Sequence, residues 1–344
     1  MKVDIKKLLL EKIKTKGRFT IKDIQEEIDI SRQAIHRHIK KLLEEEKIIK
    51  IGTTRGAKYI VSNRKIETTQ RIRRIYSRIG LQEDKILQSV FLSLNLKKQI
   101  NSNAQEIFSY AFTEILNNAI EHSQSGKILI EIDILRYDIT FTIRDYGIGI
   151  FYHIKNRLGL PSIEASMQEL LKGKVTTDPE QHTGEGLFFT SRSADNLEIS
   201  SHRSTLVFDN KLEDIFSGAI RYCKGTKVCF YISKNTRRHL DTAFDKYAGK
   251  DYDYVFSKTS VHVKLYSSVQ SPFVSRSIAK RLLNRLEQFE EIIIDFSGVK
   301  MIGQGFADQI FRVFQKQHPH IKIESVNTSE AIQAMISHVV SMND

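Results

Sequence analysis

Cysteine and proline are scarce in this chain, and no long hydrophobic run is present. The two cysteines, Cys223 and Cys229, do not form a Cys-x-x-Cys pair, so neither a zinc site nor a disulfide framework is supported. No apolar run reaches the length that a bilayer-spanning helix needs. The N-terminus is charged throughout and lacks the apolar centre of a signal peptide. The sequence therefore predicts a cytoplasmic protein with no membrane partner.

Composition and charge favour a multidomain protein with a polyanionic partner. The 344 residues suggest two or three domains, and 40% hydrophobic and 27% charged residues are ordinary for a globular chain. The formal net charge is +12. Residues 1–62 hold 16 Lys or Arg against 9 Asp or Glu, so they carry more than half of this surplus. Nucleic acid or phosphate groups are the partners that such a surplus favours.

The first 62 residues show the pattern of a winged helix-turn-helix. Helical spacing of apolar residues covers residues 2–15, 21–28 and 31–45. Residues 47–51 and 57–61 then form a strand pair around a turn that contains two glycines. We expect a domain at 1–62, because the order of three helices and a hairpin is typical of bacterial winged helices.

The third helix is the one that would enter the major groove of DNA. Arg and Gln side chains can make bidentate contacts with guanine and adenine, and Lys suits phosphates. The candidate DNA-binding residues are Ser31, Arg32, Gln33, His36, Arg37, Lys40 and Lys41 in this helix, and Arg55 and Lys58 in the wing. Winged helices also dock proteins, so that alternative stays open. The two-fold symmetry common in DNA sites predicts a homodimer.

The middle of the chain predicts a mixed α/β domain. Residues 63–100 are basic and helix-prone, and we expect a helical connector that leads into a domain at 101–235. A long helix is predicted at 101–122, and strands at 127–135, 138–144, 197–208 and 226–233. Residues 150–182 are polar and weakly patterned, and a helix is expected to open near Gly184.

An ordered series of polar and glycine positions runs through this middle region. Glu114 and Asn118 lie four residues apart, so they share one face of the long helix. Asp145, at the end of a strand, could accept a hydrogen bond from an exocyclic amine such as that of adenine. Gly147 and Gly149 let the backbone approach a flat base. Gly184 and Gly186 are at the start of a predicted helix, and backbone N–H groups at a helix N-terminus stabilise phosphate oxygens.

These motifs resemble the GHKL superfamily, which includes gyrase, the sensor histidine kinases and the anti-sigma-factor serine kinases. Glu114-x-x-x-Asn118 is similar to the N box, Asp145-x-Gly147-x-Gly149 to the first glycine box and Gly184-x-Gly186-Leu187 to the second. The resemblance implies a Bergerat α/β sandwich that binds ATP and Mg²⁺, with Asn118 as metal ligand and residues 150–182 as the lid. The nucleotide-binding residues that it implies are Asn118, Asp145, Gly147, Gly149, Gly184, Glu185, Gly186, Leu187 and Thr226.

Glu114 matches the general base of the ATPase and serine-kinase branches of the superfamily, so it is the candidate catalytic residue. Such a carboxylate could polarise an attacking water or hydroxyl group. Histidine kinases keep an acidic residue here too, so the sequence leaves open whether ATP is hydrolysed or transferred. In the second glycine box, Phe188 and Phe189 depart from the glycine-rich pattern.

Residues 251–344 alternate strand and helix, which predicts a small α/β domain. Asp295-Phe-Ser297-Gly-Val resembles the STAS fold of anti-sigma-factor antagonists. Gly305 stands where those proteins carry the phosphorylated serine, which argues against autophosphorylation. The resemblance leaves the role of this domain open, and a protein partner is one of the options.

The fold class predicted is multidomain α+β: an N-terminal winged helix, a central GHKL sandwich and a C-terminal STAS-like domain. The leading hypothesis is a DNA-binding regulator that the nucleotide state controls. The alternatives are a serine/threonine kinase that acts on a separate protein, and an ATPase with a defense role.

Overall fold

The computed structural model shows a chain of two compact units, and each is described by itself. Unit 1 comprises residues 1–154 and 190–238, and unit 2 comprises residues 155–189 and 239–344. The residues whose structure is described are 5–16, 18–25, 27–28, 32–45, 48–51, 58–61, 68–174, 184–247, 257–266 and 275–341.

The N-terminal part of unit 1 has the expected helix order. Its elements are α1 (Ile5–Lys16), β1 (Arg18–Thr20), α2 (Ile21–Gln25), α3 (Arg32–Glu44), β2 (Ile48–Ile51) and β3 (Lys58–Val61). The α2 start is fixed by a capping box, because Asp23 N donates to Thr20 Oγ1 at 3.2 Å and Thr20 N donates to Asp23 Oδ2 at 2.6 Å. Phe19 and Tyr59 stack at 5.1 Å between ring centroids and close a small core with α1 and α3.

The rest of unit 1 is built on a five-stranded antiparallel sheet in the order β4-β5-β6-β8-β7. Its strands are β4 (Thr68–Ser77), β5 (Lys127–Leu135), β6 (Asp138–Asp145), β7 (Asn196–Asp209) and β8 (Asp214–Ser233). Its helices are α4 (Glu83–Ser93), α5 (Leu96–Gln99) and α6 (Ser102–His122). Two further helices, α7 (Ile150–Arg157) and α9 (Gly186–Ser193), cross the boundary between the units.

Helix α6 packs on this sheet through an aromatic cluster. Asn101 caps the helix and accepts a hydrogen bond from Ala104 N at 2.9 Å. Phe108 and Phe112 lie one turn apart, and their rings contact Phe141 of β6 at centroid distances of 5.3 and 5.4 Å. All three are fully buried, and each such side chain contributes about 1.5–3 kcal/mol through burial. This packing fixes α6 relative to the strand that ends at Asp145.

Unit 2 contains a three-stranded parallel sheet in the order β11-β10-β9. The strands are β9 (Lys258–His262), β10 (Glu291–Asp295) and β11 (Lys322–Val326). The helices are α8 (Ile163–Lys172), α10 (Leu240–Tyr247), α11 (Arg276–Leu283), α12 (Gln304–Ala307), α13 (Gln315–Gln317) and α14 (Glu330–Ser341). Single-turn 3-10 helices lie at Val263–Tyr266 and Leu286–Gln288, and a π-helical segment, Asp308–Phe314, joins α12 to α13. The α+β class that the sequence predicts is confirmed.

One local prediction differs from the structure, and a segment without a predicted element contains two helices. Residues 68–77, expected within a helical connector, form strand β4, because Arg71 and Arg73 pair across the sheet with Asp133 and Glu131 of β5. The polar segment 150–182 contains helices α7 and α8, and α8 groups with the C-terminal residues rather than with the central sheet. None of the helices in the described ranges combines the length and apolar character that crossing a bilayer requires.

Candidate functional site

Asp145 ends β6 as a buried carboxylate whose orientation is fixed by two backbone donors. Asp145 is 4% exposed. Its Oδ1 accepts hydrogen bonds from Gly147 N at 2.8 Å and Thr226 N at 3.2 Å. Burial raises the pKa of Asp145 above its usual value, while the hydrogen bonds from Gly147 and Thr226 oppose that rise. The strand end therefore presents an acceptor at a defined position.

Glycine is required at three positions around this carboxylate. A Cβ on Gly147 would lie 1.7 Å from the carbonyl oxygen of Ser123. Gly149 has φ +82° and Gly225 has φ +74°, both in the left-handed region that favours glycine. A Cβ on Gly225 would lie 2.4 Å from the carbonyl oxygen of Asp145. The turn is thus closed against its neighbours by backbone contacts that a side chain would break.

Two serines that the sequence analysis did not select hold this turn against the end of α6. Ile148 N donates to Ser123 O at 3.1 Å, and Tyr146 N donates to Ser125 Oγ at 3.0 Å. Ser123 Oγ donates in turn to Ala119 O at 2.5 Å. A Ser-x-Ser sequence after a helix is too common to identify these two serines as part of a site. Their effect is to fix the spacing between Asp145 and α6.

Thr226 of β8 connects Asp145 to α7 through hydrogen bonds. Its backbone N–H donates to Asp145, and its Oγ1 accepts a hydrogen bond from Ile150 N at 2.9 Å. Ile150 is the first residue of α7. The candidate residues Asp145, Gly147 and Thr226 therefore meet in one hydrogen-bonded cluster, and Gly149 directly precedes Ile150, which joins it.

Glu114 and Asn118 lie one turn apart on α6, in the same unit as Asp145, and both are half-buried. The neighbouring positions Ile115 and Ala119 are buried in the core. His122, one turn after Asn118, lies 6.0 Å from the His153 ring of α7 between ring centroids. The helix thus keeps two side chains with oxygen atoms at the border of the core.

The second glycine segment, residues 184–187, belongs to unit 2. Gly184 has φ +71°, and Phe189 N donates to Glu185 O at 3.0 Å as α9 begins at Gly186. Phe188 and Phe189 are each 4% exposed, and their rings contact Tyr247 at 4.9 Å and Phe244 at 4.3 Å between centroids. The two aromatic residues that depart from the glycine-rich pattern are therefore core residues of unit 2.

The candidate DNA-binding residues of α3 lie opposite its buried face. Ile35, Ile39 and Leu42 are buried in the small core. The exposed residues of the set are Gln33, His36, Arg37, Lys40 and Lys41. Arg32 is the first residue of α3 and Lys58 the first of β3, whereas Ser31 and Arg55 lie outside the described residues.

Three family models match the chain in the predicted order. Residues 5–60 match an HTH domain, residues 70–209 a histidine kinase-like ATPase domain, and residues 278–333 a STAS-like domain of unknown function. A comparison with curated proteins gave no match. The chain is therefore similar, in this order, to a helix-turn-helix domain, a histidine kinase-like ATPase domain and a STAS-like domain. The domain order inferred from the sequence is confirmed.

Proposed function

We propose that unit 1 binds ATP with Mg²⁺ and that the nucleotide state controls DNA binding by the winged helix. The observation that carries this proposal is the buried Asp145 carboxylate, held in a turn where Gly147, Gly149 and Gly225 have no room for a side chain. The match to a histidine kinase-like ATPase domain over residues 70–209 supports it.

The geometry of the turn suits an adenine base. The exocyclic amine of adenine is a hydrogen-bond donor. A carboxylate whose orientation is already fixed can accept this hydrogen bond without rearranging. Asp145 accepts hydrogen bonds from the backbone N–H groups of Gly147 and Thr226 and interacts with the Thr226 side chain. The two oxygens of a carboxylate together have about four acceptor sites, so Asp145 keeps acceptor capacity for a ligand.

The phosphate end of the site in unit 1 would use α6. Asn118 would supply a carbonyl oxygen to Mg²⁺, a hard cation that prefers oxygen ligands. Bound Mg²⁺ would neutralise charge on the phosphate oxygens. Glu114, one turn before Asn118, would orient an attacking water molecule.

Calorimetry with ATP, with and without Mg²⁺, tests the nucleotide proposal. Asp145→Asn keeps an oxygen acceptor for Gly147 and Thr226 but removes the charge, and a hydrogen bond to a charged group contributes about 1.5–3 kcal/mol. We therefore expect ATP affinity to fall by about 10- to 150-fold. Asp84→Asn, an exposed position on α4, serves as the control. Equal affinity of Asp145→Asn and wild type for ATP would refute the assignment.

DNA binding is tested by the salt dependence of fluorescence anisotropy on a random duplex. Lys41→Ala should weaken binding and lower the slope of log K against log salt by about one, because one phosphate contact is lost. Lys98→Ala, an exposed lysine on α5, is the matched control. Both titrations are run with and without ATP and Mg²⁺. The regulator proposal fails if nucleotide leaves DNA affinity unchanged. The expected homodimer is tested separately, by sedimentation of the protein–DNA complex.

A second candidate function is a serine/threonine kinase that acts on a separate protein. The resemblance of Asp295-Phe-Ser297-Gly-Val to the anti-sigma-factor antagonists favours it, because such kinases phosphorylate those proteins, and Gly305 removes the acceptor from this chain. The kinase would then use the C-terminal domain to dock its partner. Incubation with γ-labelled ATP separates the candidates: label on a protein, lost in Glu114→Ala, supports the kinase. Release of free phosphate without labelled protein instead supports an ATPase, including one with a defense role.

A further inference from the structure

The β7–β8 hairpin folds back on itself beside the Asp145 turn. Ser200 Oγ lies 3.1 Å from Thr205 Oγ1, and Asn210 N donates to Asp195 O at 3.0 Å, so the tip of the hairpin returns to the start of β7. The register with β8 shifts on both sides of His202. His202 therefore stands at the apex of the bend.

The backbone of His202 holds a conformation that few side chains adopt. Its φ is +54°, in the left-handed region. Histidine is among the residues that tolerate this region better than most, but such strain persists only where the surroundings impose it. On the facing strand, the three residues 220–222 lie opposite the single residue Arg203, between the pairs His202–Cys223 and Ser204–Ala219. The extra residues bring Tyr222 to the apex.

Three rings from three segments gather at this apex. The His202 ring lies 4.3 Å from the Tyr152 ring of α7 and 5.6 Å from the Tyr222 ring of β8, measured between centroids. The cluster abuts the glycine turn, because a Cβ on Gly149 would lie 2.7 Å from His202 Cε1. Tyr152 is 42% exposed and Tyr222 is 55% exposed, so large aromatic surface stays open next to a buried acceptor.

We propose that Tyr152, His202 and Tyr222 form an aromatic wall on which the nucleotide base stacks. The wall would favour a purine, because the larger ring system offers more stacking area, and Asp145 would then read the amine at the base edge. Tyr222 and Tyr152 are specificity-determining residues in this view. The inference rests on the proposed nucleotide binding and extends it to the base.

Titration of Tyr222→Ala with Mg²⁺–ATP and with Mg²⁺–tripolyphosphate tests this wall. Loss of one stacked ring should weaken ATP binding about tenfold. Tyr222→Phe should keep the wild-type affinity, and tripolyphosphate affinity should not change in either variant. Tyr137→Ala is the control, because Tyr137 is 65% exposed and precedes the opposite end of β6. An unchanged ATP affinity in Tyr222→Ala, or equal losses for ATP and tripolyphosphate, would overturn the proposal.

Tryptophan fluorescence gives a second test of the aromatic wall, because the chain contains no tryptophan. Tyr222→Trp introduces a single indole, and a stacked adenine should quench its emission, whereas tripolyphosphate should not. A Tyr137→Trp variant should show no quenching with either probe. If wild-type protein binds no ATP, the nucleotide proposal itself fails. If wild-type protein binds ATP, Asp145→Asn loses it and the Tyr222→Trp emission stays constant, only the aromatic wall is wrong.

Discussion

Lys172 of unit 2 is a lysine with no exposed side-chain surface, and its removal gives a sharp test of the packing around α8. Its Nζ donates to Glu169 Oε1 at 2.6 Å and to Asn284 O at 2.6 Å, and lies 5.9 Å from the centre of the Tyr266 ring. Thr259 Oγ1 of β9 donates to Lys172 O at 2.6 Å. These contacts tie α8 to β9 and to the end of α11.

The cost of Lys172→Met follows from what remains around Glu169. Removal of one partner from a buried ion pair costs about 3–5 kcal/mol, because the other charge stays buried. Methionine fills the space of the lysine stem, and Glu169 keeps Asn284 Nδ2 at 3.1 Å and Arg285 Nε at 3.8 Å. We therefore expect the lower end of the range, about 3 kcal/mol.

Hydrogen exchange of peptides from α8 measures this cost locally. A loss of about 3 kcal/mol should speed their exchange about 150-fold where exchange requires opening of unit 2. Glu169→Met combined with Lys172→Met removes both charges and should recover most of the protection. Lys280→Met, at an exposed position on α11, is the control. The reasoning is refuted if Lys172→Met exchanges like that control, or if the double variant is as unprotected as the single one.

Two further predictions concern the Asp145 turn. Gly147→Ala would place a Cβ 1.7 Å from Ser123 O, so the turn has to move and ATP affinity should fall at least about tenfold, which calorimetry measures. Burial raises the pKa of Asp145, so between its unfolded and folded pKa values the folded protein holds a proton that the unfolded chain has released. The free energy of unfolding therefore falls as pH rises through that window and stays lower above it. Asp145→Asn should remove this loss of unfolding free energy and stabilise unit 1 at neutral pH. Urea unfolding, followed by a signal that reports on unit 1, measures the change. No gain in stability relative to wild type would contradict the burial argument.

The elements that carry the site were predictable because their patterns are strong. The α6 stripe of buried residues repeats at helical spacing, and β6 alternates buried and half-buried residues along its whole length. The β6 pattern ends at Asp145, and Glu114 and Asn118 lie beside the last buried residues of the α6 stripe. The glycines after Asp145 mark the turn, since their places cannot hold a side chain.

Strand β4 escaped prediction because its stability comes from pairing rather than from its own pattern. Arg71, Arg73 and Arg74 are exposed, and Ile75 is 54% exposed, so the segment has no clear alternation of apolar and polar residues. The acidic partners of the first two arginines lie on β5, about sixty residues later in the chain. Local sequence therefore favoured a basic helix, and the tertiary context selects a strand.

The burial of Lys172 was likewise not predictable from the local sequence. Lys172 lies in the segment 150–182 that the resemblance implies is a lid, where a solvated lysine is the ordinary expectation. Its environment is set by Asn284, which is 112 residues away in the chain, and by Glu169 one turn earlier. A helical pair at this spacing is usually exposed, so only the fold distinguishes the buried case.

The bend at His202 is the feature with the least trace in the sequence, although it lies next to the most recognisable motif. Ser-His-Arg-Ser carries no glycine or proline, the residues that usually mark a reversal of the backbone. The reversal is instead imposed from outside: Asn210 Nδ2 donates to Ser191 O and Ala194 O at 2.7 Å each, and the returning strand buries Leu206 and Phe208. Packing of the hairpin tip thus forces a strained residue against Gly149. Any change that frees the tip should therefore relax the aromatic wall while leaving the hydrogen bonds of Asp145 in place.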